Sequence, residues 1–532
     1  MKLFKKPEEV AGSATPAILM GGFASLGGIL FGYDTGTISG ILAMDYWVRL
    51  FSTHVDVQGQ AYITTGEQSL IVSILSAGTF FGALSGAPIG DLAGRRLGLL
   101  VSCVIFNIGV VMQTAAMAIP LFTAGRAVAG FGVGLLSSLV PLYQSECSPK
   151  WIRGTIIAAY QLAITIGLLL AAIVNNATHD RNDSGSYRIP VAVQLLYGLI
   201  LGFGIFFFPE TPRFFVKTGN TAEASKSLGR LRRLSPDHPA ITEELAEIIA
   251  NHEYDIALGT SSWLDLLKSH GRQRRRLLTG CGIMVAQQLT GINFIFYYGT
   301  QFFKNSGISN PFLIGLTTNL VNVASTIPGL LLVERWGRRQ LLFWGAVGMT
   351  ICEFIVAIVG ATSSSNVANT VLIAFTCIYI FFFAISWGVA GWVVVGENFS
   401  LRFRAQSVAC SIASNWLLNW AIGFATPYLV DEAPGAAGLQ AKVFFIWGAC
   451  CLGCAVFVYL CIFETKGLTL EQVDDMYEKV SQAWQSESYT PQDTFQEQMR
   501  KQSTCGVEHV EGQDARGFVE INSDIKSQTV QV

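Results

Sequence analysis

Long apolar stretches broken by short polar segments recur along almost the whole chain. Twelve are long enough to read as membrane-spanning helices, at roughly 17–44, 69–90, 97–118, 121–142, 155–176, 190–208, 277–300, 312–333, 340–361, 371–395, 406–430 and 441–463. Spans 4, 10 and 11 carry several polar residues, which softens their boundaries. Between spans 6 and 7 the pattern changes. The stretch 221–255, TAEASKSLGRLRRLSPDHPAITEELAEIIANHEYD, is rich in helix formers and charge and reads as short amphipathic helices. From about 480 the chain is polar and rich in Gln, Ser and Glu, the composition of a disordered tail. The pattern predicts an all-α membrane protein with a tail at 1–16, six spans in 17–208, a helical linker at 209–276, six more spans in 277–463, and a tail at 464–532.

Charge orients the spans. Arg95, Arg96, Lys150, Arg153, Arg335, Arg338, Arg339, Arg402 and Arg404 fall in the loops after spans 2, 4, 8 and 10, and the linker adds Arg272, Arg274, Arg275 and Arg276. The positive-inside rule then places these loops and both termini in the cytoplasm. Composition agrees, with 51% hydrophobic and 14% charged residues, against about 25% charged in ordinary soluble domains. The N-terminal segment has no apolar core before Pro16, so the first span itself is expected to target the chain. The Cys450, Cys451 and Cys454 cluster lies in an apolar run and reads as small packing residues, not as a metal or disulfide site. GFGVG at 130–134 sits within span 4 and reads as close helix packing rather than a dinucleotide loop. The sequence offers no catalytic triad, metal cluster or nucleotide loop, and no enzyme, cofactor or nucleic-acid partner is expected. Sequons at Asn176 and Asn182 fall in an outer loop, and a third at Asn398 on the cytoplasmic side.

Internal repeats divide the chain in two. DLAGRR at 91–96 returns as ERWGRR at 334–339, an offset of 243. Glu146 and Arg153 in ECSPKWIR return as Glu397 and Arg404 in ENFSLRFR, an offset of 251. PETPR at 209–213 returns as FETKG at 463–467, an offset of 254. Three signatures recurring in one order imply two homologous six-helix halves, the plan of major facilitator transporters, with a substrate site between the halves near midplane.

FGYDTG, DLAGRR, GRAVAGFGVG, PLYQSECSPKWIRG, QLAITIG, PETPR, QQLTGIN, ERWGRR, GENFSLRFRA and ETKGLTLEQ together resemble the sugar porter family of the major facilitator superfamily. The likeness runs from Phe23 to Glu478, and FGYDTGTISGILAM and SWGVAGW look most like the fungal high-affinity hexose transporters. The fold this implies is twelve transmembrane helices in two pseudo-symmetric bundles. Span 10 departs from the family pattern: SWGVAGW keeps Gly388 and Gly391 but has no proline, so it permits a bend without forcing one.

A sugar is neutral and covered in hydroxyls, and amides can both donate to and accept from it. Span 7 offers Gln287, Gln288 and Asn293; Gly291 permits the helix break that would bring them together. The resemblance implies that Gln161, Asn322, Trp392 and Asn415 join them in touching sugar, with Phe383 and Trp416 nearby. It also implies a cytoplasmic ion-pair lattice of Arg95, Arg96, Glu146, Arg153, Glu334, Arg338, Arg339, Glu397 and Arg404 across the ends of the halves.

Asp34 is the only charge in 17–44. A carboxylate there costs about 2.5–3.5 kcal/mol on insertion scales. Arg126 is the second isolated charge of the first half, and pairing would lower the cost of burying both. The resemblance adds that proton-coupled relatives carry an acid and an arginine at these positions. All six histidines fall in loops or tails, which leaves Asp34 as the expected proton acceptor and Arg126 as its partner. Glu353, the other carboxyl well inside a span, is expected to be peripheral or snorkelling. The function expected is proton-coupled uptake of glucose and related hexoses by a plasma-membrane carrier acting as a monomer in the bilayer. The alternatives are a glucose sensor with a transporter fold, a facilitative carrier, or a carrier of another sugar.

Overall fold

The computed structural model describes residues 12–55, 59–149, 153–257, 272–308, 310–363, 365–399, 403–432, 435–468 and 470–489. Eleven helices among them are long and apolar enough to cross a membrane. Spans 1 to 6 are Thr15–Ile41, Thr65–Ala93, Arg95–Ala115, Ile119–Cys147, Arg153–Thr178 and Gly185–Phe206. Spans 8 to 12 are Pro311–Trp336, Arg338–Thr362, Asn366–Glu397, Arg404–Val430 and Val443–Cys461. The remaining expected span, span 7, is split into Arg272–Leu289 and Ile292–Asn305.

The ends of these helices follow local chemistry. Thr64 and Glu67 form a reciprocal capping box at the start of span 2. Asn310 caps span 8, with Pro311 at the first helical position, where its missing N–H is no loss. The GFGVG run is where span 4 meets its neighbours backbone to backbone. A Cβ on Gly132 would come within 2.7 Å of the Phe106 nitrogen in span 3, and one on Gly134 within 2.7 Å of the Ala83 nitrogen in span 2. Helix packing is therefore the role of that motif.

Three spans are interrupted. Span 1 breaks at Ser25, between Thr15–Ala24 and Leu26–Ile41. Span 7 breaks at Gly291, whose φ of 81° lies in the left-handed region that glycine tolerates. Span 10 breaks at Ser386, between Asn366–Ile385 and Trp387–Glu397, although it has no proline. There the Ser386 hydroxyl donates to the Phe382 carbonyl at 2.5 Å, giving the interrupted ladder a local side-chain donor.

The two sets of six spans meet chiefly where span 2 packs on span 11, span 5 on span 8, and the second part of span 7 on span 1, with a smaller contact between span 5 and the second part of span 10. The linker contributes Pro212–Lys217, Thr221–Arg232 and Pro239–Ala257. It docks on the first half through Arg232, which pairs with Glu244 at 2.7 Å and donates to the Cys147 carbonyl at 3.1 Å. Beyond span 12, Leu470–Lys479 and the short turn Ala483–Ser488 pack on the second half. Ordered structure thus continues past 480, because Ala483 and Ser486 are buried there. The rest of the expected disordered tail, 490–532, lies outside the described residues, as do 1–11.

Candidate functional site

The break in span 7 gathers the amides. Gln287 donates to the Trp387 carbonyl at 2.8 Å and accepts from Asn415 at 3.0 Å. Gln288 donates to the Asn415 side-chain oxygen at 2.9 Å and accepts from Asn293 across the break. Four predicted residues, from two pieces of span 7 and from span 11, therefore form one buried network. Three residues that sequence reasoning missed extend it. Asn419 donates to Gln288 at 3.5 Å and accepts from Tyr297 at 2.9 Å and from Ser76 at 2.7 Å. Ser76 belongs to span 2, so the network crosses from one half to the other. A signal for Asn419 was present: it stands four residues after Asn415, on the same helix face.

The other predicted contact residues do not join this network among the described residues. Asn322 in span 8 is buried and Gln161 in span 5 is half-buried; neither side chain hydrogen-bonds among the described residues. Trp416 is buried, its indole N–H has no partner, and its ring meets Phe31 of span 1 edge-on at 5.1 Å. Trp392 is half-buried, and Phe383 packs against the region of Gly388 after the span 10 break. The arrangement combines a hydrogen-bonded amide network, amides outside it, and buried or half-buried aromatic side chains. It can receive a small neutral polyol by exchanging its internal hydrogen bonds for bonds to hydroxyls.

Asp34 and Arg126 are both buried, with 3.9 Å between a carboxylate oxygen and a guanidinium nitrogen. The contact is loose. Among the described residues neither carboxylate oxygen meets the distance and angle of a hydrogen bond, and Arg126 directs its Nε to the Ile71 carbonyl at 2.7 Å. Tyr297, which donates to Asn419 of the amide network, lies on the second part of span 7, which packs on the span that carries Asp34.

At the end of the bundle where span 1 begins, each half has its own charge cluster. Arg95 pairs with Glu146 at 3.0 Å and with Asp91 at 3.3 Å. Arg338 pairs with Glu397 at 2.9 Å and with Glu334 at 3.2 Å. Arg96 donates to the Ile205 and Phe206 carbonyls, while Arg339 pairs with Glu487 at 2.7 Å. The side chains of Arg153 and Arg404 lie outside the described residues. The glutamates predicted to pair with them are engaged by Arg95 and Arg338. The described pairs therefore stay within a half rather than bridging the two.

The opposite end is closed by contacts between halves. Ser39 meets Thr300 at 3.1 Å, Ser69 donates to the Phe424 carbonyl at 2.6 Å, and Lys304 pairs with Asp45 at 2.7 Å. His179 stacks on Phe312 at 4.1 Å.

The family described as "Sugar (and other) transporter" matches residues 21–477. The chain belongs to this family of sugar transporters within the major facilitator superfamily. It is 57% identical to the major facilitator-type transporter ecdD of Aspergillus rugulosus, over 92% of either chain. It is 50% identical to the probable glucose transporter rco-3 of Neurospora crassa, covering 93% of this chain and 84% of that one. It is also 42% identical to the high glucose sensor RGT2 of Saccharomyces cerevisiae, covering 87% of this chain and 61% of that one. The proton:xylose symporter XylE, solved with 6-bromo-6-deoxy-D-glucose bound, superposes with a TM-score of 0.71 at 25% identity, covering 87% of this chain and 100% of that one. The chain is thus a multi-pass membrane transporter of the sugar family and not an enzyme.

One expectation is overturned. Glu353 is neither peripheral nor snorkelling: it is 1% exposed, and neither carboxyl oxygen has a hydrogen-bond partner among the described residues. It faces spans 10 and 12 rather than lipid, a direction that the nearly uniform hydropathy of span 9 could not reveal.

Proposed function

We propose that the protein is a proton-coupled carrier of glucose and related hexoses in the plasma membrane, working as a monomer by alternating access. The observation that carries this reading is that the second part of span 7 packs on span 1, which holds Asp34 of the buried Asp34–Arg126 pair, while its Tyr297 bonds Asn419 of an amide network that also takes Ser76 of the first half. The relatives support a sugar as substrate. Gln161, Gln287, Gln288, Asn293, Asn322 and Asn415 bind its hydroxyls, while Phe383, Trp392 and Trp416 cover its apolar C–H face. The arginine-rich loops support cytoplasmic termini, which makes the end closed by Ser39–Thr300 and Lys304–Asp45 the extracellular one in this reading.

Protonation of Asp34 removes the attraction that holds Arg126 toward span 1. Arg126 then keeps its bond to the Ile71 carbonyl and is released from span 1, and the halves are free to rock with sugar bound. The Arg95–Glu146 and Arg338–Glu397 clusters, with Arg96, Arg153, Glu334, Arg339 and Arg404, form the cytoplasmic gate. The two six-helix halves, 17–208 and 277–463, are the moving bodies.

The test is labelled-glucose uptake in a host lacking its own hexose carriers, with a protonophore arm and competing sugars. Accumulation above the external concentration that collapses with protonophore is expected. Equilibration insensitive to protonophore would make the protein a facilitator. The similarity to a glucose sensor supports a second reading, in which the protein binds glucose and signals. Glucose binding without uptake in the same host would select that reading.

A further inference from the structure

We propose that the groove between the start of span 7 and the end of span 12 binds an anionic phospholipid, with the phosphate at Arg274 and Arg275 and a chain along Leu278 and Phe457. The groove has a volume of about 310 Å³ and is lined by Arg274, Arg275, Leu278, Thr279, Phe457 and Cys461. Helical register builds it. Arg274, Leu278 and Gly282 follow one another at four-residue steps along span 7, and Phe457 and Cys461 do so along span 12, so each set shares one helix face. The two helices touch at Gly282, where a Cβ would lie 2.7 Å from the Phe457 ring. From that contact the groove runs toward the helix ends, with an apolar floor of Leu278 and Phe457 and two arginines at its mouth.

The floor lies at the depth of lipid chains and the mouth at the depth of headgroups. Leu278 on span 7 and Leu452, Val456 and Leu460 on span 12 are exposed, and on membrane-spanning helices such side chains meet hydrocarbon. Tyr459, two residues before Cys461, stacks on Trp484 at 5.8 Å, and both are exposed, the placing of aromatic residues at a membrane–water interface. Charge then selects the lipid. Neighbouring arginines are neutralised: Arg276 pairs with Asp474, Arg338 with Glu397 and Arg339 with Glu487. Arg274 is exposed and has no partner among the described residues. Arg275 donates to the Ser481 carbonyl at 2.6 Å and lies 4.8 Å over the Phe463 ring, and no carboxylate pairs with it among the described residues. Two uncompensated cations above an apolar floor fit a phosphate with a chain attached; a soluble anion would meet the arginines and leave the floor bare. The proposed topology puts this end at the cytoplasmic leaflet, whose anionic lipids supply such headgroups.

The experiment titrates the delipidated full chain, in neutral detergent, with phosphatidylserine, phosphatidylcholine or glycerophosphoserine, which has the serine headgroup without chains. Native mass spectrometry reads bound lipid, and thermal unfolding reads stabilisation. Wild type should bind phosphatidylserine in preference to phosphatidylcholine and gain nothing from glycerophosphoserine. Arg274→Gln should weaken phosphatidylserine binding about fivefold and leave phosphatidylcholine unchanged. Cys461→Trp fills the groove without touching a charge and should weaken phosphatidylserine at least as much. Arg335→Gln removes an exposed arginine outside the groove and should leave binding within about twofold. Equal stabilisation by glycerophosphoserine would overturn the proposal in favour of a soluble anion, and equal binding of phosphatidylcholine would remove the role of the arginines. Equal losses in Arg274→Gln and Arg335→Gln, with none in Cys461→Trp, would reduce the effect to a general attraction between basic loops and acidic lipid. If Cys461→Trp does not fold, Leu278→Asn tests the floor by the same readouts, and unchanged binding there would overturn the site.

Discussion

Asp34→Asn tests the charge pair and the coupling reading together. The side chain keeps its shape and loses its charge, leaving Arg126 buried with only the Ile71 carbonyl at 2.7 Å as a hydrogen-bond partner. At 3.9 Å and an effective dielectric constant of about 20, the lost attraction is about 4 kcal/mol. Removing one member of a buried pair costs about 3–5 kcal/mol, because the other is left uncompensated. Arg126→Met alone strands Asp34 in the same way. The double variant strands neither, so it should recover at least about 2 kcal/mol relative to Asp34→Asn alone. Denaturation of the four purified proteins in one detergent gives this cycle, and purely additive losses would refute the ion pair. Transport gives the second arm. If Asp34 carries the proton, Asp34→Asn should still exchange labelled sugar across the membrane, while its steady-state accumulation falls to the external concentration with or without protonophore. Undiminished accumulation by Asp34→Asn would refute the coupling role whatever the stability cycle returned.

The remaining predictions concern the site and the two ends. Gln288→Ala removes the shared acceptor of Asn293 and Asn419 and should raise KM about tenfold or more, with Vmax within a factor of about two; a wild-type KM would remove Gln288 from the sugar site. The Ser39 and Thr300 hydroxyls lie 3.1 Å apart, so the Ser39→Cys, Thr300→Cys pair should form a disulfide on oxidation and block uptake until reduced; full uptake with the disulfide formed would mean this end does not open during transport. Glu146→Gln and Glu397→Gln each take one charge from a buried arginine and should destabilise the protein by similar amounts, about 1–3 kcal/mol; a large loss in one and none in the other would break the proposed equivalence of the halves.

Much of this architecture was legible because the bilayer imposes it. A segment that crosses hydrocarbon must be long, apolar and helical, so all twelve expected spans are present within a few residues of their predicted bounds. Gly291 marked the break in span 7 because few other residues take its φ of 81°. What the sequence hid was direction within a span. Asn419, Tyr297 and Ser76 are ordinary polar residues in helices that hold several, and only the rotation of each helix and its partner places them in one network. Glu353 was misjudged for the same reason: span 9 is apolar on every face, so nothing in the pattern distinguishes lipid from the neighbouring span 12. The short helix Asp45–Phe51 after span 1 was missed too, since a piece of 7 residues has too few turns to display a period.

The repeat shows which parts of the fold are shared machinery and which are individual. At the end where span 1 begins, a set of backbone and side-chain contacts repeats in both halves. The backbone N–H groups of Arg95 and Arg96 bind Glu210 at 3.1 and 2.9 Å, and those of Arg338 and Arg339 bind Glu464 at 3.0 and 3.0 Å. Thr211 donates to Glu146 at 2.5 Å, and Thr465 donates to Glu397 at 2.6 Å. The glycines before each pair, Gly94 and Gly337, have φ values of 93° and 94°. Near the middle of the membrane this agreement ends. Span 1 holds the ionisable Asp34, whereas the matching region of span 7 holds the neutral Gln287 and Gln288. Glu353 lies 243 residues after Val110, an apolar residue of span 3, so the first half has no carboxyl at that place. A duplicated rocking frame needs the same hinge contacts in both halves, because both must close against the same end. Coupling needs the opposite: a titratable group on one side and a sugar-binding group on the other, so that one ligand alters what the other half must grip. Under the proposed reading, Asp34 in span 1 and the amides in span 7 would divide those two tasks between two copies of one bundle.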